Sequence, residues 1–103
     1  MSIRKNYLKN KKECTITFTI PKAIGDKHKK ISVVGDFNNW DQEANRFKKT
    51  NSKGTYTVSV RVPVGREYQF RYVADETHWF NESKADKQIP APFANTENSV
   101  VKV

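Results

Sequence analysis

An all-β fold, an antiparallel sandwich of about seven short strands, is the architecture this sequence predicts, and three observations predict it. Apolar residues recur with a period of two rather than three and a half, turn-forming residues interrupt the chain at close intervals, and no window sustains a helical stripe. The 103 residues make one domain's length of chain, so a single fold carries whatever the protein does.

The elements follow in order. Cys14, Ile16, Phe18 and Ile20 alternate with Thr15, Thr17 and Thr19, a half-buried strand ended by Pro21. Residues 22–30 read as a polar, Lys-rich turn around Gly25. Residues 31–34 form a second strand, stopped at Gly35 by the run Asp36-Phe37-Asn38-Asn39-Trp40-Asp41. A short strand surrounds Phe47, and residues 51–54, Asn-Ser-Lys-Gly, make a hairpin loop. Tyr56, Val58, Val60 and Val62 alternate with Thr57, Ser59 and Arg61 in the clearest strand of the chain. Residues 63–65 turn it back into a partner in which Tyr68, Phe70 and Tyr72 alternate with Gln69, Arg71 and Val73. Residues 75–78 turn again, and Trp79 and Phe80 begin a short strand. Residues 81–95 form a long polar loop holding Pro90 and Pro92, and residues 99–103 close the chain as a last strand. Residues 41–45 have room for one helical turn at most. Strand number and spacing fit an immunoglobulin-like sandwich; a small oligonucleotide-binding barrel is the alternative.

The formal charge is +8, which raises nucleic acid or an anionic membrane surface as partners. Its distribution argues against both. Residues 1–30 hold nine Lys and Arg against Glu13 and Asp26, whereas the remainder holds ten basic and nine acidic side chains. The excess thus lies in a basic N-terminal arm, residues 1–12, and one early loop, ahead of and within a domain spanning residues 13–103. A phosphate-tracking groove needs cations spread over one folded face and interleaved with aromatics. The arm reads equally well as a disordered, solubilising tail. No apolar run approaches the roughly 18 residues that span a bilayer, and residues 1–13 are too polar for a signal peptide's apolar segment, so the expectation is a cytoplasmic protein without a membrane partner. Cys14 is the single cysteine, and with only His28 and His78 beside it the chain lacks the ligands of a thiolate and imidazole zinc site. No metal and no cofactor is expected.

Catalytic constellations are missing too. There is no Gly-x-Ser-x-Gly elbow, no Cys and His pairing around Cys14 and no phosphate-cradling glycine loop. Cys14 reads as a small core residue and His78 as a solvated side chain. Asp36, Asp41, Glu43, Asp75, Glu76, Glu82 and Asp86 fall in turns, where they read as turn formers and solvated charges rather than as a glycosidase pair. The expectation is a protein that is not an enzyme.

What core packing does not require is Trp40 in a turn and Trp79 just past another. Rings at such positions are either lids on the sandwich or a flat recognition surface. A pyranose ring has an apolar face of C–H groups and a rim of hydroxyls, so a site for it needs an indole to stack on and planar amide or cationic groups beside it. Trp40, Trp79, Arg71 and Asn98 supply those groups.

Three stretches carry a resemblance. They are Val33-Val34-Gly35-Asp36-Phe37-Asn38-Asn39-Trp40, then residues 65–75 (Gly-Arg-Glu-Tyr-Gln-Phe-Arg-Tyr-Val-Ala-Asp) leading into Trp79, then Asn98-Ser99-Val100-Val101. From about Cys14 to Val103 the chain resembles the early-set isoamylase N-terminal domains of carbohydrate-binding module family 48, among them the glycogen-binding domain of the AMP-activated kinase β subunit. The resemblance implies an early-set, immunoglobulin-like sandwich and a non-catalytic α-glucan-binding module for glycogen or starch-like chains. It also implies that Trp40 and Trp79 stack on glucose rings while Arg71 and Asn98 reach hydroxyls. The kinase-type sequence has Asp-Gly before its second Trp where this chain has Asp75-Glu76-Thr77-His78, and a Leu where Ala94 stands. Family members are accessory modules of glycoside hydrolase family 13 enzymes, where many mainly support a catalytic barrel. With no barrel within these 103 residues, the resemblance implies a free-standing version. The alternative is a docking domain for a separate glucan-processing enzyme or a kinase, with a vestigial sugar site.

Overall fold

Two antiparallel sheets make up the computed structural model, which describes residues 1–50, 54–91 and 96–103. In chain order the elements are β1 (Ser2–Tyr7), β2 (Glu13–Ile20), a four-residue helix α1 (Lys22–Gly25), β3 (Ile31–Gly35), β4 (Lys48–Thr50), β5 (Thr55–Pro63), β6 (Glu67–Ala74), β7 (His78–Phe80), β8 (Lys87–Pro90) and β9 (Glu97–Lys102). One sheet has the order β1-β2-β5-β4 and the other β3-β6-β9-β8. Strand β6 pairs along one side with β3, and along the other first with β9, through residues 67–70, and then with β7, through residues 72–74.

The alternating residues meet between the sheets. Cys14, Ile16, Phe18 and Ile20 of β2 and Val60 and Val62 of β5 pack against Ile31 and Val33 of β3, Tyr68, Phe70 and Tyr72 of β6, and Val101 of β9. The Phe18 ring lies 5.1 Å from that of Phe70 and 6.1 Å, edge-on, from that of Tyr72. Burial of each such side chain is worth about 2 kcal/mol, which makes this seam the main source of cohesion. The fold is thus the immunoglobulin-like sandwich.

Five readings of the sequence change. Residues 2–7, read as part of a basic arm, form edge strand β1 along most of β2, from Ser2 opposite Thr19 to Tyr7 opposite Cys14. Its inward row, Ile3, Lys5 and Tyr7, has a cation at its centre, which hid the alternation. Lys5 ends on Asp86 of the opposite sheet's border, 2.8 Å away, and so clips the two sheets together. Residues 81–95, read as a loop, contain β8, whose Pro90 is tolerated because β8 is an edge. The helical turn is at residues 22–25 rather than 41–45, and Gly25 permits it, since a Cβ there would stand 2.1 Å from the Tyr56 ring. Around Phe47 the strand starts at Lys48, while Phe47 is buried and donates its N–H to the Ile31 carbonyl at 2.8 Å. Glu82, read as a solvated charge, is completely buried. The hairpin loop expected at Asn51, Ser52 and Lys53 lies outside the described residues.

The β6–β7 hairpin turns through Asp75 and Glu76 at φ 51° and 71°, closed by Thr77 N–H to the Ala74 carbonyl at 3.3 Å. Two consecutive left-handed residues define a type I′ turn, whose second position favours glycine. Left-handed backbone costs a residue with a Cβ about 1–2 kcal/mol, while the exposed Lys30–Glu76 pair offsets little of it. Glu76→Gly therefore raises the unfolding free energy by about 1 kcal/mol, to be measured by urea denaturation.

Acid should loosen the same end of the molecule. Asp75 accepts the Lys30 and Lys29 N–H groups and bonds the His28 ring, and these bonds hold its carboxyl below the usual range. Asp26 is lowered further, to about 2, by Lys22 and by the Tyr56 hydroxyl. A carboxylate lowered on folding stabilises the native state above its unfolded value and loses that contribution as pH falls through its folded one. The melting temperature of Asp26→Asn should therefore lie below that of the native protein at neutral pH and converge with it below about pH 2.

Candidate functional site

The run from Gly35 to Trp40 divides its labour residue by residue. Gly35 allows β3 to press onto β6, because a Cβ there would stand 2.4 Å from the Gln69 carbonyl oxygen. Phe37 turns inward and caps the core, its ring 6.0 Å from Phe18 and 6.2 Å from Tyr68. Asn38 ties the turn with its side chain: Oδ1 accepts the Gly35 N–H at 3.0 Å, and Nδ2 donates to the Val33 carbonyl at 3.0 Å and to Asn45 Oδ1 at 2.8 Å. Asn39 and Trp40 then adopt φ 56° and 58°. Left-handed backbone is tolerable for Asn and strained for a bulky Trp, and it persists here because the turn is tied on every side. Trp40 is left half-buried, its indole N–H donated to Asp36 Oδ1 at 3.3 Å.

Trp79 lies opposite Val73 in the short β7–β6 pairing and is 41% exposed, so among the described residues only Tyr7 is a more exposed large apolar side chain. The Arg71 guanidinium lies over the indole, 5.9 Å from its centroid, and donates from Nε to the Glu97 carbonyl at 3.0 Å. By register Arg71 shares the outer face of its sheet with Gln69, Val73, Trp79 and Asn98. Arg71, Trp79, Phe80, Asn81, Thr96 and Glu97 line an open groove on that face. Asn98, expected ahead of the last strand, lies within β9; it is buried, and its Nδ2 donates to Gln69 Oε1 at 2.9 Å. Ala94 falls outside the described residues.

Hydrogen bonds and ring contacts link the four residues in sequence: Trp40 to Asp36, Asp36 to the Gln69 N–H at 2.9 Å, Gln69 to Asn98, and neighbouring Glu97 through Arg71 to Trp79. Asp36 and Gln69 carry the middle of that chain, and sequence reasoning passed over them. Asp36 reads as an ordinary turn former, and Gln69 as one more outward residue of an alternating strand.

A buried polar cluster backs the groove. Glu82 accepts the Tyr72 hydroxyl at 2.6 Å and the Lys84 N–H at 3.0 Å, and its own N–H donates to the Ser99 hydroxyl at 3.0 Å. Ser99 Oγ is 2.9 Å from Asn81 Oδ1, and Asn81 Nδ2 donates to the same Glu97 carbonyl that holds Arg71. Burial and the neighbouring carboxylate push the Tyr72 phenol far above its ordinary pKa, so it acts only as a donor to Glu82. Among the described residues no cluster of His, Cys, Asp and Glu is arranged to hold a metal ion, and no helix is long and apolar enough to cross a membrane.

A small sandwich with one outward face of indole, guanidinium and amide groups belongs to the class of recognition domains. Residues 26–88 match the model of carbohydrate-binding module 48, the isoamylase N-terminal domain, and the chain belongs to that family. It is also similar to the 1,4-alpha-glucan branching enzyme GlgB of Rhodopirellula baltica, 34% identical over 65 residues. That match covers 62% of this chain and spans only 8% of the enzyme's length.

Removal of the Glu82 side chain leaves a buried hydroxyl and a backbone N–H without their acceptor. Glu82→Ala should therefore lower the unfolding free energy by about 3 kcal/mol, measured by urea denaturation.

Proposed function

We propose that the protein is a non-catalytic α-glucan-binding module that recognises glycogen or starch-like chains with Trp40 and Trp79 as stacking platforms and Arg71 and Asn98 as polar partners. The observation that carries this reading is the Trp79 ring, exposed under the Arg71 guanidinium in a groove with amide and hydroxyl neighbours. A pyranose needs an apolar plane beside fixed donors and acceptors, and membership in carbohydrate-binding module 48 supports the same ligand class. Arg71 offers donors that its bond to Glu97 keeps in place. Asn98 gives its amide to Gln69, so its part is shared with Gln69, which is half-buried on the same face. A shallow, wet site of this kind binds weakly, and many copies of its ligand on a branched polymer would raise its retention by multivalency.

A docking domain for a separate glucan-processing enzyme is the second reading. It is favoured by the burial of Asn98 and by the similarity to a short stretch of a long branching enzyme.

Retention on immobilised glycogen or amylose separates them. The native protein should be retained equally at low and high salt, because the ligand is neutral. Trp40→Ala and Trp79→Ala should each weaken binding at least about tenfold while keeping a β-rich spectrum. Absence of retention by the folded native protein would favour the docking reading, and retention lost only at high salt would point to an anionic partner instead.

A further inference from the structure

The side chain that decides where Trp40 points stands four residues before it. Asp36 uses both carboxylate oxygens: Oδ1 accepts the Trp40 indole N–H at 3.3 Å, and Oδ2 accepts the Gln69 backbone N–H at 2.9 Å. Its own N–H donates to the Gln69 carbonyl at 2.9 Å, so the ladder between β3 and β6 continues one residue past Gly35 and ends in a side chain. On the far side of β6, Gln69 Oε1 accepts the Asn98 amide at 2.9 Å. We infer that Asp36 and Gln69 are positioning residues, which lock Trp40 to Asn98 across β6 so that ring and amide face a sugar chain as one rigid surface. The inference rests on the glucan-binding reading above, but the tie itself can be measured without sugar.

The chemistry makes one substitution selective. An asparagine at position 36 has one acceptor oxygen for two donors, and its NH2 group repels whichever donor loses. The shorter bond, to a backbone N–H at a sheet margin, keeps the oxygen, and the indole is released. A released indole has to be ordered again each time a ligand binds, which weakens affinity without removing a contact. Gln69→Ala acts on the other half: it keeps the backbone N–H that holds Asp36 and removes only the acceptor of Asn98.

The test uses Trp fluorescence and calorimetry. With Trp79→Phe as background, Trp40 is the only indole in the chain. Asp36→Asn should then lower its anisotropy and raise its quenching by acrylamide, whereas Gln69→Ala leaves both unchanged. In the background with both Trp residues, each substitution should weaken maltoheptaose binding about tenfold, the equivalent of one lost hydrogen bond, with an unchanged circular dichroism spectrum. Asp36→Ser, which also leaves a single acceptor oxygen, serves in place of Asp36→Asn if that variant does not fold. Trp40 mobility unchanged in the position-36 variant that folds, or native maltoheptaose affinity in both that variant and Gln69→Ala, overturns the inference. A native protein that binds no maltoheptaose, while the position-36 variant still frees Trp40, instead overturns the glucan reading and leaves the tie standing.

Discussion

Everything on the outer face depends on how Phe18 sits between the sheets. Its ring touches Phe70 and Tyr72 of the opposite sheet and also Phe37, which arrives from the turn after β3. Phe37 reaches that contact because the chain leaves the β3–β6 ladder after Asp36, and it reverses through Asn39 and Trp40. The Phe37 contact thus anchors in the core the turn whose polar ties hold Trp40. The same cluster fixes Tyr72, whose register opposite Phe80 sets β7 in place and with it the neighbouring Trp79. The contacts of Phe18 therefore anchor the turn before Trp40 and the strand before Trp79, although neither indole belongs to the core.

The polar cluster around Glu82 plays the matching part at the border of the sandwich. A buried carboxylate is tolerated only when its oxygens are used, and Tyr72 and Lys84 use them. What results is a link from the core, through Ser99 and Asn81, to the carbonyl of Glu97 that holds Arg71. An interior built only of apolar groups would leave that carbonyl, and the guanidinium over Trp79, to the mobility of a surface strand. Stability at this border and geometry at the groove come from one set of bonds.

Much of this was legible in the sequence where a strand's partner lies in the same alternating code. Cys14 to Ile20, Tyr56 to Val62 and Tyr68 to Val73 announce themselves because each has one wholly apolar row, and those rows form the core. Strand β1 was hidden since Lys5 interrupts its inward row, and its place is set by pairing with β2 and by Asp86, which is distant in sequence. Strand β8 was hidden by Pro90, a residue that argues against a central strand and says nothing against an edge. Glu82 looked solvated because nothing local marks a residue whose carboxylate is buried against Tyr72 and whose N–H is held by Ser99, both distant in sequence. Trp40 and Trp79 were visible as large rings in or just past turns, and Arg71 as a cation in the strand before Trp79. Asp36 and Gln69 were not, because their role exists only once β3 lies against β6.

Trp40 sits within a strained turn and Trp79 just past another, and in each case an aspartate clamps the turn. Asn39 and Trp40 are left-handed and Asp36 holds the indole; Asp75 and Glu76 are left-handed, and Asp75 binds the Lys29 and Lys30 N–H groups and His28. Strain of this kind persists only where the surrounding structure over-determines it, and a domain of this size has little stability to give up. Glycine at the second position of either turn would relieve it, and at position 40 glycine would also delete the ring. Stability alone therefore does not account for a tryptophan at φ 58° in this turn. On the glucan-binding reading proposed above, the clamp has a use, since a ring already held at a fixed angle need not be ordered by a weakly held ligand.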